Sequence, residues 1–378
     1  MKFGLAGMAA IAAGCTAPRA PAPQAGATRA EALSALRRAN DYWQRTNSPA
    51  KWPFWDVAAY HTGNMAAWEV TRNDAYRAYS TAWAEHNQWR GAKSDVKANW
   101  KYTYGETDDH VLFGDWQVCF QTYVDLYNLD PAKDPRKIAR AREVMEYEMG
   151  TPNSDYWWWA DGLYMAMPVM TKLYKATGNR QYLDKLQEYY AFADRLMFDP
   201  DAGLYYRDAK YVYPRHKTAK GGKDFWARGD GWVFASLAKV LADLPKDHPS
   251  YPLLVARYKG MAAALKPAQQ PGGYWTRSIL DPQQAPGPES SGTAFFTYGY
   301  LWGMNNGYLD RAEYAPVAAR SWQFLSKVAL QADGKLGYVQ PIGERAIPGQ
   351  VVDQDSTAPF GVGAFLLAAS EMVRFAEQ

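Results

Sequence analysis

From Ala30 onward, apolar positions recur at spacings of three and four in long runs, and strict alternation is rare and short. That periodicity predicts about twelve helices of two kinds. One kind is apolar nearly all round and rich in Gly, Ala and aromatics, with members beginning near Val57, Asp115, Gly162, Gly231, Gly292 and Pro359. The other kind is amphipathic and charged: Arg29–Thr46, Asp74–Trp89, Pro135–Met149, Arg180–Met197, Tyr251–Leu265 and Arg311–Val328. The two kinds alternate along the chain. Six buried helices alternating with six half-exposed ones describe a double ring, so the expected fold is all-α, an (α/α)6 barrel formed as one domain by residues 29–378.

The joints fit this ring. Tyr174–Leu183 carries Gly178 where a helix C-cap belongs and a new helix at once, and Asn305–Asp310 repeats the device with Gly307. Such short turns would connect inner to outer helices on one face. The returns on the opposite face are long and aromatic: Gln88–Gly114, Thr151–Asp161, Asp199–Asp230 and Lys266–Ser291. Long irregular loops gathered on one face are where function is expected. Gly203–Arg207 and Gly272–Trp275 read as small hairpins within them.

The charge balance, 42 basic against 39 acidic residues, gives no reason to expect a nucleic-acid partner. Aromatic content changes the picture more: 16 Trp and 27 Tyr exceed what a core needs and suit a carbohydrate site. Five scattered histidines lack any paired ligand spacing, so neither a metal nor another cofactor is expected. Cys119 lies in an apolar run and reads as a core residue. The other cysteine, Cys15, closes a short apolar leader beginning after Lys2, where Ala12-Ala13-Gly14-Cys15 resembles a bacterial lipoprotein cleavage box with Ala in place of the usual Leu. A Pro/Ala-rich tether follows, so residues 1–28 are read as signal, anchor and tether. The expected location is outside the cytoplasm, periplasmic or membrane-anchored, with the membrane met only through a lipid on Cys15. An ordinary secretory signal or a misplaced start are the alternatives.

The inner helices open with a recurring arrangement of aromatics followed by an acid or small polar group. It is seen in Trp52–Asp56, Gly114–Trp116, Trp157–Asp161 and Phe225–Trp232, and in part in Glu289–Gly292 and Asp355–Pro359. In a double ring these starts converge on one mouth. Asp, Ser and Thr at such positions are ordinary helix caps, and that reading is preferred for Ser291, Asp355 and Ser356; Asp56 is left open. Asp161 follows three consecutive tryptophans, and a carboxyl hemmed in by indoles loses hydration and gains proton affinity. Asp115 opens the preceding inner helix, so the two acids suggest acid/base work on a glycosidic centre, with two helix caps as the alternative. Arg228 stands between Trp226 and Trp232. That set could floor a site for an anionic sugar, rings stacking on the pyranose and the guanidinium meeting a carboxylate, or could simply be a buried Arg clamped by core aromatics.

These segments, together with Gln117–Tyr123, Ser291–Phe296, Gly303–Gly307 and Phe360–Ala368, resemble glycoside hydrolase family 105, the unsaturated rhamnogalacturonyl hydrolases, close kin of the unsaturated glucuronyl hydrolases. The likeness runs from Arg29 to the C-terminus, and its specific parts are Trp226-x-Arg228-x-x-x-Trp232 and Trp159-Ala160-Asp161. It implies removal of a terminal 4,5-unsaturated uronic acid from lyase-generated oligosaccharides by hydration of the enol-ether double bond. Asp161 would be proton donor and then base, Asp115 would assist, and Trp226, Arg228 and Trp232 would hold the uronate, with Trp159 beside the acid and His216 as a site histidine. The chain departs from the family at Trp116, where a second acid or small residue is usual, and at Asp230, where Asn is common. A two-carboxylate glycosidase acting on saturated sugars and a non-catalytic glycan-binding lipoprotein are the competing readings.

Overall fold

The computed structural model describes Met1 and residues 27–377; Cys15, the leader and most of the tether lie outside the described residues. The described residues form twelve α-helices: α1 (Arg29–Thr46), α2 (Trp55–Thr71), α3 (Asp74–His86), α4 (Cys119–Leu129), α5 (Arg136–Met149), α6 (Ala160–Thr177), α7 (Gln181–Met197), α8 (Ala227–Asp243), α9 (Tyr251–Leu265), α10 (Ser290–Asn305), α11 (Arg311–Phe324) and α12 (Pro359–Phe375). The even-numbered helices pack in a closed ring, α2 on α4, α4 on α6, and so on until α12 returns to α2. Each inner helix also carries an outer one against its back, α3 on α2 through α11 on α10, and α1 on α12. The result is the expected (α/α)6 barrel.

The two rings differ as their sequences require. Helix α1 buries only its Ala32, Ala35, Leu36, Ala39, Asn40 and Trp43 stripe, whereas α10 is buried from Ser290 to Met304. Small residues let the inner helices meet closely. A Cβ on Gly63 would lie 2.2 Å from the Gly363 carbonyl oxygen, and one on Gly363 would lie 2.3 Å from the Ala59 oxygen, so the α2–α12 seam admits no side chain at either position.

Three boundaries differ from expectation. Helix α3 stops at His86 because Gln88 and Trp89 turn into the left-handed region at φ 54° and 58°. The segment at Asp115 is a tight single turn, Gly114–Trp116, and α4 begins only at Cys119. Trp116 is thereby laid across Phe54 and Trp52, with its indole N–H on the Gly105 carbonyl. Helix α11 ends in a wider turn, Leu325–Ala329. The hairpin at Gly203 is present as β1 (Phe198–Asp199) paired antiparallel with β2 (Leu204–Tyr205); at Trp275 only a single bridge to Glu289 forms.

Helix starts are met in different ways. Outer α1, α3 and α11 are capped by the side chains of Thr28, Asn73 and Asp310. Inner α2, α6, α8 and α12 begin after Phe54, Trp159, Trp226 and Ala358, which supply no side-chain cap. Loop carbonyls serve three inner starts instead: Ala160 N–H donates to Arg207, Ala227 N–H to Arg277 and Ser290 N–H to Tyr338. The long loops are thus bonded onto the mouth of the barrel. Gly363→Ala is expected to lower stability by roughly 2 kcal/mol through overpacking at the α2–α12 seam. Urea unfolding would read it, and an unchanged midpoint would mean that this seam relaxes freely.

Candidate active site

A cavity of about 580 Å³ opens at the mouth where the inner helices begin. Its floor is built from the starts of α2, α6 and α8 and the turn before α4, which bring Asp56, Asp115, Trp159, Asp161, Trp226, Arg228 and Trp232 to one space. Six of the seven site residues expected from the sequence therefore meet: Asp115, Asp161, Trp159, Trp226, Arg228 and Trp232. His216 does not line the cavity. Its ring bonds Asp224 at 2.9 Å and packs edge-on against Tyr211, which donates to Glu344 at the rim.

Neither acid is a helix cap. Asp161 is the second residue of α6, two places beyond the cap position held by Trp159, and Asp115 sits inside its single turn. Both are buried, and loss of hydration raises both pKa values. Two cations temper the effect at Asp161: Arg207, whose Nε lies 3.4 Å from its Oδ1, and Arg228. Asp115 is raised well above the carboxylate range, by burial first and then by the charge of Asp161. As the unoccupied pair titrates, the guanidinia favour ionisation of Asp161, and Asp115 keeps its proton to higher pH. A third carboxyl, Asp56, is pushed up to about 6 by burial and leaves its Oδ1 without a partner.

Arg228 is almost wholly enclosed, at 1% exposure. Its guanidinium lies 4.5 Å from the Trp226 ring and 4.8 Å from the Phe360 ring. Phe360 takes the second face that spacing had given to Trp232, which packs instead on Tyr164 and Phe295 while still lining the cavity. Two of Arg228's donors are committed, Nη1 to the Gln340 carbonyl at 2.8 Å and Nη2 to that of Pro341 at 2.9 Å. Each terminal nitrogen retains one further N–H. Burial pushes its pKa down to about 10, which still leaves it charged near neutrality.

Gln340 is the hub of this wall. It accepts from the Trp226 indole at 2.8 Å. Its side-chain nitrogen donates to the Arg345 carbonyl and to Gln350 Oε1, each at 2.9 Å. Its backbone N–H meets Glu289, which also accepts from Ser291 and Gly292. Glu289, rather than Ser291, thus caps α10. Asp355 and Ser356 likewise sit in a turn closed on Asp353, ahead of the helix they were expected to cap. The two departures from the family pattern stand outside the cavity lining: Asp230 accepts the Tyr205 N–H and so ties the hairpin to α8, while Trp116 supports Phe54 from behind.

Several lining residues were not singled out from sequence. Arg207 and Lys210 follow the hairpin, Tyr104 and Glu106 lie in the loop before α4, and Ile342, Gly343 and Glu344 come from the segment between α11 and α12. Arg207 had a signal, since it ends a Gly-aromatic hairpin directed at the mouth. The segment 331–358 had none, because its polar and apolar positions follow no period. Among the described residues no group of three or more His, Cys, Asp or Glu side chains could hold a metal ion.

Residues 28–376 match Glycosyl Hydrolase Family 88. The unsaturated 3S-rhamnoglycuronyl hydrolase of Formosa agariphila is 32% identical over 338 residues, 85% of each chain. A solved structure described as a glycosyl hydrolase family 88 protein from Bacteroides vulgatus is 57% identical with a TM-score of 0.90, covering 92% of this chain and 100% of its own. Another, described as a polysaccharide lyase, is 64% identical with a TM-score of 0.90, covering 93% and 98%. A match that runs through all twelve helices makes this chain an enzyme that belongs to Glycosyl Hydrolase Family 88.

Proposed function

We propose that this enzyme releases a terminal 4,5-unsaturated uronic acid from oligosaccharides made by polysaccharide lyases, by hydrating the enol-ether double bond. The observation that carries the reading is a pair of buried carboxyls of raised proton affinity, Asp115 and Asp161, beside the enclosed cation Arg228. The names of the curated relatives support the substrate, and the motifs around Asp161 and Arg228 support the finer likeness to family 105.

In this reading the sugar ring lies against Trp159, Trp226 and Trp232, and its carboxylate faces the free N–H groups of Arg228. That negative charge offsets one of the two cations that hold the pKa of Asp161 down, so binding keeps Asp161 protonated until the proton is needed. Asp161 gives its proton to C4. The double-bond electrons form the new C–H bond, and the positive charge left at C5 is shared by the ring oxygen. The Asp161 carboxylate then takes a proton from water as its oxygen bonds to C5, which regenerates the acid. The resulting hemiketal opens and the aglycone leaves. Asp115 retains its proton and binds the ring.

One observation favours a second reading: the 64% identical relative is described as a lyase. A lyase would remove a proton and create the double bond, a step in which an ionised Asp161 would serve as the base. Ultraviolet absorbance of the conjugated double bond separates the two by sign, falling for hydration and rising for elimination. Release of saturated sugars with no change would instead support the ordinary glycosidase. We further propose, from the box at Ala12–Cys15, that the chain is exported and lipid-anchored.

Three outcomes are expected. Asp161→Asn lowers kcat on an unsaturated disaccharide roughly a thousandfold while binding of the substrate survives; undiminished turnover would remove Asp161 from the chemistry. Because the acid must be protonated, activity is lost as pH rises, and the alkaline limb of kcat lies at higher pH than that of kcat/KM, since bound uronate raises Asp161 further. Coincident limbs, or the reverse order, would contradict the role given to Arg228. Labelled fatty acid enters the wild-type protein in an exporting bacterium and is absent from Cys15→Ala; equal labelling would dismiss the anchor.

A further inference from the structure

The cavity changes character from floor to rim. Below lie buried rings and the three acids; at the rim stand Trp52, Tyr104 and Ile342, which are 42%, 61% and 65% exposed. Large apolar groups left in water around a pocket mouth form a platform for whatever projects from it. At about 580 Å³ the cavity takes more than one pyranose ring, so the platform falls beside the sugar bonded to the uronate.

The rim charges are already matched among themselves. Glu344 accepts from Lys210 Nζ at 3.0 Å and from the Tyr211 hydroxyl at 2.7 Å, and lies 3.5 Å from Arg207 Nη1. Asp208 accepts from Arg207 Nη1 at 2.5 Å and lies 3.8 Å from Lys210 Nζ. Both cations that could greet an anionic group are thus held by two carboxylates. Glu106 lines the same mouth, so outside the floor two acids, Glu106 and Glu344, face two bases, with Asp208 buried behind them. A sulfate or second carboxylate placed here would compete with Glu344 for Lys210 and Arg207 and would face like charge from Glu106 and Glu344.

We infer that the rim selects an uncharged aglycone, a neutral sugar seated by its apolar face on Trp52, Tyr104 and Ile342, and that Glu344 is the residue that enforces this by occupying Lys210 and Arg207. The inference rests on the hydration reading above and adds the class of sugar that reading leaves open.

The experiment uses two unsaturated disaccharides that differ only by a sulfate on the aglycone ring, followed by loss of ultraviolet absorbance at low and raised salt. The neutral compound should be consumed with a kcat/KM about tenfold or more above the sulfated one. The gap should narrow as salt screens the rim. In Glu344→Gln the ratio of sulfated to neutral turnover should rise, because Lys210 and Arg207 are released. Equal or faster consumption of the sulfated compound by the wild type would overturn the inference and leave the hydration reading standing. A Glu344→Gln ratio that does not move would overturn the role of Glu344. Consumption of neither compound would overturn the hydration reading, and this one with it.

Discussion

One buried guanidinium organises the mouth of this barrel. A charge taken out of water is tolerated only where its donors are met and its field is answered. Arg228 meets the first condition with the carbonyls of Gln340 and Pro341, and the second with Glu289 and Asp161. Both carbonyls belong to an aperiodic segment that nothing in its own sequence would hold in place. Removing the cation would leave the buried Gln340 carbonyl and the part-buried Pro341 carbonyl without this donor, so the wall that carries Ile342–Glu344 would lose one of its ties to the barrel.

The same cation has a second consequence, on proton affinity. Asp115 and Asp161 occupy one space from which water is largely excluded, and like charges there cannot ionise independently. What distinguishes them is proximity to Arg207 and Arg228, which act on Asp161 more than on Asp115. An anionic ligand at Arg228 reduces that difference. In the proposed reading Asp161 holds its proton more firmly once an anionic sugar is bound, and no moving part is required.

The fold was legible because periodicity reports burial, and burial is what separates the rings. The outer helix α1 shows its stripe at Ala32, Leu36, Ala39 and Trp43, and the inner helix α10 shows none because every face is covered. The floor was legible for a related reason: helix starts are local features, and aromatic residues placed where caps belong mark Trp159 and Trp226 as unusual. What could not be read was pairing across long separations. That Phe360 rather than Trp232 completes the clamp on Arg228 depends on a contact across the mouth between the starts of α8 and α12, which has no local signature. Glu344 and Arg207 meet for the same reason, and His216, plausible from its neighbours, is drawn to Asp224 instead.

The parallel inner ring also explains why the two ends of the barrel are not interchangeable. Six helices begin at one mouth and end at the other, so partial positive charge collects where the cavity lies and partial negative charge at the opposite end. Lys172, Lys239 and Arg374 stand near the ends of α6, α8 and α12, as that field favours. Two of these cations are also paired, Lys172 with Asp125 and Arg374 with Glu69 and Glu371. That end also encloses a cavity, about 370 Å³, but its charges are largely spent on one another. At the mouth five inner starts, those of α2, α4, α6, α8 and α12, lack side-chain caps, and tryptophans stand beside several of them. In the proposed reading the carboxylate of an anionic sugar lies in the positive field of these helix starts.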